Sequence, residues 1–156
     1  MDVNDHNKWV GAIVMNLQSL ETVLRYFLLV ANGQTPNFPK VGDKDTSITY
    51  LSDYRSLGNL IRLYNEKLSE VEAKSYGISS DEILKVRDSI AHGRLVTTNE
   101  FPATLWKFGE PMNGRVPIDY CEVLSPEYLV KTSNFVGAEK DKVVKCFQSR
   151  KYKGLR

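Results

Sequence analysis

The sequence predicts a mainly α-helical fold, an antiparallel bundle of four to five helices with a small β-hairpin inserted before the last long helix. Three observations predict it. Two long segments repeat apolar residues at helical spacing, two further segments carry helix start signals, and a stretch rich in β-branched and aromatic residues separates those last two. The chain has 156 residues, a formal net charge of +2 and 42% hydrophobic residues. These values are typical of a single globular domain, which we expect to span residues 1–156.

The first helix is predicted from an apolar stripe near the N-terminus. Its members recur at alternating intervals of three and four residues, which places them on one helical face: Val10, Ile13, Leu17, Leu20, Leu24, Phe27 and Ala31. Asn4 or Asp5 can cap the start of this helix, and Asn32 with Gly33 can end it. A stripe of this length needs a partner of similar length to cover it.

That partner is predicted from about residue 47 to residue 74, where a second stripe follows: Tyr50, Tyr54, Leu57, Ile61, Tyr64, Leu68 and Val71. Prolines and glycines over residues 33–42 separate the two helices and prevent one continuous helix. Because the two stripes match in length, we expect an antiparallel helical pair. Aromatic residues at this spacing are typical of a core, so we expect Tyr50, Tyr54 and Tyr64 to be buried.

A third helix is predicted to begin at Ser79 or Ser80 and to end at Gly93, which can close a helix in the left-handed conformation. Residues 95–124 then form the predicted β-hairpin, in which Pro117 restricts its strand to an edge. The last helix begins at the sequence Ser125-Pro126-Glu127, where a capping residue precedes a proline at the first helical position.

Composition argues against several protein classes. The longest apolar run covers residues 26–31, far fewer than the roughly 20 residues of a membrane span, and the polar start does not resemble a signal peptide. The two cysteines, Cys121 and Cys146, lack the spacing of a zinc site or a disulfide scaffold. We therefore expect a cytoplasmic protein without a membrane partner, a metal or a cofactor.

Positive charge is concentrated at the C-terminus. Residues 140–156 carry seven basic side chains against one acidic side chain. Cations at this density can bind a phosphate backbone, which makes the basic tail over residues 150–156 a candidate nucleic-acid contact. An ordinary solvated helix end, whose cations suit the C-terminal dipole, remains an open alternative.

The third helix carries the one constellation that indicates chemistry. On a helical wheel Arg87 lies within the apolar sector, so its guanidinium must be paired or must line a polar cleft. Asp88 and His92 are four residues apart and share a face, so the carboxylate can bond the imidazole and hold its tautomer. Such a pair suits proton transfer. A capped helix end with an ordinary Arg–Asp ion pair is the alternative reading of the same residues.

The run Arg87-Asp88-Ser89-Ile90-Ala91-His92 resembles the Arg-x4-6-His signature of the HEPN superfamily, and the continuation Gly93-Arg94-Leu95 is similar to many small bacterial members. The resemblance implies a single HEPN-like domain, usually a homodimer, and often a metal-independent ribonuclease of toxin–antitoxin, abortive-infection or other phage-defence systems. Active members frequently have Asn after the arginine. This chain has Asp88 there, which places a negative charge beside the expected phosphate.

The resemblance also implies roles for individual residues in cleaving single-stranded RNA at a homodimer interface. We expect the catalytic residues to be Arg87, on the scissile phosphate, and His92, as base in one subunit and acid in the other. Asp88 would support His92, and Ser89 would donate a hydrogen bond to the phosphate. The expected RNA-binding residues are Arg94, Arg150, Lys151 and Lys153. An antitoxin protein is a further expected partner.

Two other hypotheses remain open at the level of sequence. In the first, the chain is a non-catalytic HEPN-like dimer that binds a nucleotide or a partner protein, with Arg87 as its anion anchor. In the second, it is a helical scaffold protein whose segment from Arg87 to His92 is merely a helix end. The first predicts that the purified protein leaves RNA intact, and the second predicts two distant His92 rings in the native dimer or a stable monomer.

Overall fold

A computed structural model describes residues 3–98 and 102–150, and these residues form five helices and three strands. The helices are α1 (Val3–Ala31), α2 (Leu57–Glu66), α3 (Glu70–Tyr76), α4 (Ser80–His92) and α5 (Pro126–Ser149). The strands are β1 (Arg94–Val96), β2 (Thr104–Phe108) and β3 (Ile118–Val123). The predicted class is confirmed, because the chain is mainly helical with a small antiparallel sheet before its last long helix.

The first helix agrees with its prediction at its C-terminal end, but it begins at Val3, so that Asn4 and Asp5 lie within the helix and not at its N-cap. α1 ends at Ala31, and the following Gly33 has a φ of 73°, the left-handed conformation expected beyond a helix end. The middle of the predicted stripe is buried: Ile13, Leu17, Leu20, Leu24 and Phe27. By length and composition, Asp5–Ala31 could also cross a membrane, which the short apolar runs did not predict. Burial of this stripe explains the same apolar composition.

The helix predicted over residues 47–74 is wrong in its first part. Residues 32–56 contain no helix, and α2 begins only at Leu57. Ser56 caps this start by accepting a hydrogen bond from the Asn59 amide at 3.4 Å. Tyr54 is fully exposed and is therefore not a core residue.

The second part of that predicted helix is interrupted. α2 ends at Glu66, and Ser69 starts α3 with a capping box in which Ser69 and Glu72 each bond the other's backbone amide. Val71 is 78% exposed, so its place in the apolar spacing does not reflect burial. The caps at Ser56 and Ser69 therefore determine where the helices begin, although the apolar repeat runs on without interruption.

The segment before α2 is held by Arg25 of α1. The Arg25 guanidinium donates to the Asp53 carboxylate at 2.8 Å, to the Tyr50 carbonyl at 3.0 Å and to the Arg55 carbonyl at 2.8 Å. A carbonyl that accepts from a side chain in this way does not need a helical amide partner. This anchor stabilises a non-helical conformation where the apolar spacing predicts a helix.

The described chain forms two compact units. The first unit contains residues 3–17, 81–98 and 102–136, and the second unit contains residues 18–80 and 137–150. α4 lies in the first unit from Asp81 onward, together with the whole sheet.

The core of the second unit is aromatic. Phe27 and Tyr64 meet edge to face with their ring centroids 4.9 Å apart, and the centroids of Tyr26 and Phe147 are 5.5 Å apart. The buried Tyr64 hydroxyl donates to the Tyr76 carbonyl at 3.0 Å. Burial raises the pKa of Tyr64, so its phenol stays protonated.

The two cysteines have opposite surroundings, and both are free thiols. Cys146 is completely buried in the second unit, and this burial raises the pKa of its thiol. Cys121 is exposed on β3.

In the first unit, the predicted hairpin over residues 95–124 is a three-stranded sheet with the order β1-β2-β3. Leu105 of the central strand pairs with Leu95 on β1 and with Glu122 on β3, and it is the buried residue of the sheet. Pro117 directly precedes the edge strand β3, as predicted. α5 begins as predicted at Pro126, after the Ser125 hydroxyl accepts from the Tyr128 amide at 3.1 Å.

The Glu72–Arg150 ion pair of the second unit makes stability depend on pH. Arg150 donates to both carboxylate oxygens, at 2.8 and 2.7 Å. The bonds from Arg150 are the largest cause that lowers the pKa of Glu72 from 4.5 to about 2, and the hydrogen bond from the Ser69 backbone amide is the next. Because the folded pKa is depressed, the stabilisation is complete above about pH 4.5 and is lost as the pH falls toward 2.

We predict that Glu72→Gln lowers the free energy of unfolding by about 1 kcal/mol at pH 7 and flattens its pH dependence between about pH 5 and pH 2. Urea unfolding at several pH values measures both effects. Glu66→Gln is the matched control, since Glu66 pairs with Arg62 at the surface, where ion pairs contribute little. Equal pH profiles for wild type and Glu72→Gln would contradict the assignment.

Candidate active site

α4 positions the candidate residues through its amphipathic character. Ile83 and Ser89 are buried, Arg87 and Asp88 are partly exposed, and His92 is exposed at the last helical position. The side chains of Arg87 and Asp88 are 38% and 32% exposed, so both reach solvent from the side of the helix. The acidic Asp81 and Glu82 occupy the first turn, where they suit the helix dipole.

Arg87 is paired, as its position in the apolar sector requires, and its partner is the adjacent Asp88. Its Nη1 donates to Asp88 Oδ1 at 2.6 Å. The second oxygen of Asp88, Oδ2, lies 3.6 Å from Lys107 Nζ on β2. One carboxylate therefore faces two cations, one from its own helix and one from the central strand of the sheet.

The predicted bond between Asp88 and His92 is wrong for the described part of the chain, because Asp88 is engaged by Arg87 and Lys107 instead. The helical spacing did allow the bond. A cation brought in by the sheet competes for the carboxylate, and sequence spacing could not reveal it. Lys107 is therefore the site residue that sequence reasoning missed.

His92 is exposed, and its imidazole has no hydrogen-bond partner within residues 3–98 and 102–150. The backbone around it is well ordered by hydrogen bonding, since the following Gly93 amide donates to the Ser89 carbonyl at 2.8 Å. The imidazole is thus available to an external group.

Ser89 cannot serve the expected role as a phosphate donor. It is 1% exposed, and its hydroxyl donates to the Lys85 carbonyl at 2.6 Å. Ser89 lies on the packed side of α4, where a buried hydroxyl commonly donates its hydrogen bond to a backbone carbonyl of the same helix. The prediction for Ser89 is therefore corrected.

Gly93 also differs from its prediction, because its φ lies outside the left-handed region. Its small size is used for close packing instead. A Cβ at this position would lie 2.7 Å from Leu105 Cδ1 and would overlap the Ser89 carbonyl. The absence of a side chain lets the end of α4 approach the central strand.

The expected RNA-binding residues fall into three groups. Arg94 is exposed on β1, with its guanidinium 5.3 Å from the centroid of the Phe108 ring. Arg150 is engaged by Glu72 and by the Lys67 carbonyl within the second unit, so its expected role is corrected to a structural one. Lys151 and Lys153, with the rest of the basic tail, lie outside the described residues.

Within residues 3–98 and 102–150, the structure contains no cluster of three His, Cys, Asp or Glu side chains that could hold a metal ion. No protein-family model matches the chain, and neither a curated protein nor a solved structure matches it. The likeness to the HEPN superfamily therefore depends on the resemblance of residues 87–95.

We predict that Gly93→Ala destabilises the protein by about 1–3 kcal/mol, because the new methyl group overlaps the Ser89 carbonyl and the Leu105 side chain. Gly11→Ala is the matched control, since nothing lies within 4 Å of a Cβ at that helical position. It should leave stability unchanged or raise it by up to about 1 kcal/mol. Chemical unfolding of both variants measures the difference, and equal stabilities would contradict the close approach.

Proposed function

We propose that the protein is a metal-independent endoribonuclease of HEPN type, with a composite active site to which α4 of two subunits contributes Arg87 and His92. One observation supports this proposal most directly: the imidazole of His92 is exposed and unbonded among the described residues, while Arg87 remains accessible on the same helix. Five residues of helix separate them by about 7.5 Å along the axis. That spacing suits groups acting on the same RNA segment.

The pairing of Arg87 leaves it able to bind a phosphate. A guanidinium has five N–H donors, and within the described chain only Nη1 of Arg87 is used, by Asp88. The Nε and Nη2 donors can therefore bind two oxygens of one phosphate in the bidentate geometry that arginine favours.

The charge around Asp88 also supports anion binding. Its carboxylate is matched by Arg87 and Lys107, so the three side chains together carry one net positive charge. The repulsion that Asp88 alone would exert on a phosphate is thereby offset. Lys107 acts as a positioning residue in this proposal, since it neutralises Asp88 without touching the RNA.

A two-fold dimer completes the chemistry. An isologous interface brings together the same residues of both subunits, and hence two imidazoles. His92 of one subunit takes the proton of the ribose 2′-hydroxyl, whose oxygen attacks the neighbouring phosphorus. The bond from phosphorus to the 5′-oxygen breaks, and His92 of the other subunit protonates that oxygen. The products are a 2′,3′-cyclic phosphate and a 5′-hydroxyl end, with Arg87 stabilising the phosphorane.

The setting of this activity follows from the resemblance alone. We propose a cytoplasmic toxin or phage-defence component that forms a homodimer, cleaves single-stranded RNA and is held in check by an antitoxin protein. A non-catalytic HEPN-like dimer that binds a nucleotide or a partner protein is the second candidate. The short Arg87–Asp88 ion pair favours it, because that pair could serve as an anion anchor without chemistry.

We predict that His92→Ala and Arg87→Ala each lower cleavage of a fluorescent single-stranded RNA by at least about 100-fold without unfolding the protein. Loss of proton transfer explains the first effect and loss of phosphate binding the second. A chelator should leave the wild-type rate unchanged. Arg62→Ala is the matched control, since it removes the same charge from an exposed pair on α2. Wild-type rates in both site variants would reject the proposal in favour of the non-catalytic dimer.

Mixing subunits tests whether both imidazoles are needed in one dimer. After exchange of equal amounts of wild type and His92→Ala, random pairing leaves about half of the wild-type subunits in wild-type dimers. The activity per wild-type subunit should then fall to about half. An unchanged activity per subunit would show that each subunit acts alone and would contradict the composite site.

A further inference from the structure

An apolar pocket of about 260 Å³, partly open to solvent, lies in the first unit between α1, α4, the sheet and α5. Eight of the eleven described residues that line it are apolar, and none of the eleven is Asp, Glu, Lys or Arg. Small-molecule sites are concave, mostly apolar and few in each protein. A pocket of this size next to the candidate site is therefore a candidate binding site for a small ligand.

The lining determines the charge of that occupant. The walls are mainly aliphatic, formed by residues such as Ile13, Ile90, Leu105 and Leu129. A charged ligand would lose its hydration there and find no opposite charge, which is costly. Water is also held poorly by an apolar cavity, because it needs several polar partners. An uncharged apolar molecule fits these walls.

The volume of the pocket limits the size of the ligand. In another protein, an apolar cavity of about 150 Å³ lined by aliphatic and aromatic residues takes up benzene. The present pocket, at about 260 Å³, is larger by more than half and leaves room for a second fused ring.

The polar residues of the lining determine what else the ligand carries. His6 and Asn7 come from α1, and Tyr128 comes from α5. The Tyr128 hydroxyl already bonds the Tyr120 hydroxyl, and His6 Nε2 is inaccessible to solvent, with no hydrogen-bond partner among the described residues. Asn7 is exposed, and its amide has both donors and an acceptor. One polar group on the ligand can therefore be matched at this side of the pocket.

We propose that this pocket is a binding site for a small, uncharged bicyclic ring compound with one hydrogen-bonding group, which the amide of Asn7 receives. The ring fills the space between the aliphatic walls. Ile90 and Gly93, on either side of His92 in sequence, form part of the wall, so the bound ring contacts the last turn of α4. This inference does not depend on the ribonuclease proposal, and its test involves no RNA.

Indole is the probe for the test, because it is neutral and bicyclic and carries a single N–H group. Titration of the ¹⁵N-labelled protein should give saturable amide shifts at Val10, Ile90, Gly93 and Leu105, with a dissociation constant of about 1 mM or tighter. Indole-3-carboxylate, which has the same ring and a negative charge, should bind at least about 10-fold more weakly.

Two variants on different elements narrow the pocket, so that if one variant fails to fold, the other still tests the proposal. Val10→Phe on α1 and Leu95→Trp on β1 should each weaken indole binding by at least about 10-fold. Met15→Phe is the matched control, because Met15 is 61% exposed on α1 and does not line the pocket. It should bind indole as the wild type does.

Three results would overturn the inference. They are the absence of saturable shifts up to the solubility limit of indole, equal binding of indole by both narrowed variants and the wild type, and equal affinity for indole and its carboxylate.

Discussion

The bridge formed by Asp88 is the interaction on which the candidate site depends. Arg87 approaches one oxygen at 2.6 Å and Lys107 approaches the other at 3.6 Å, so the carboxylate joins α4 to the central strand. All three side chains are about a third exposed, and solvent screens ion pairs of this kind. Its contribution is therefore mainly geometric, because it holds the partly exposed guanidinium of Arg87 and engages the carboxylate of Asp88 away from His92.

The same junction between helix and strand is close-packed on its apolar side. Gly93 permits the approach of Leu105, which is the buried residue of the sheet. A polar bridge and an apolar contact thus fix the end of α4 from two directions, one through charge and one through the absence of a side chain. His92 lies between them in sequence, on the exposed side. The ribonuclease proposal requires such a rigid support for His92, since small displacements of a reacting group reduce rates strongly.

Sequence reasoning succeeded where local signals and burial agree. The stripe from Ile13 to Phe27 is buried, and Ser125 caps the start of α5 at its predicted position. The prediction of a second long helix was wrong in its first part, because the Arg25 side chain binds two backbone carbonyls and Asp53 there. The apolar spacing of that segment is accidental. In the site, the roles of Arg87 and His92 stay predictions, whereas Lys107 could not be found from the sequence. Its approach to Asp88 depends on the position of a strand 19 residues later in the chain.

The contrast between the two thiols has a practical consequence. Cys146 is enclosed in an aromatic core that keeps it protonated and sterically shielded, whereas Cys121 stands on the open side of β3 opposite Trp106. Alkylating reagents act on accessible thiolates. A maleimide fluorophore would thus attach at one position of the native chain without any engineered cysteine. Energy transfer from the Trp106 side chain to that dye would report on the conformation of the sheet, because the two residues are directly paired across β2 and β3.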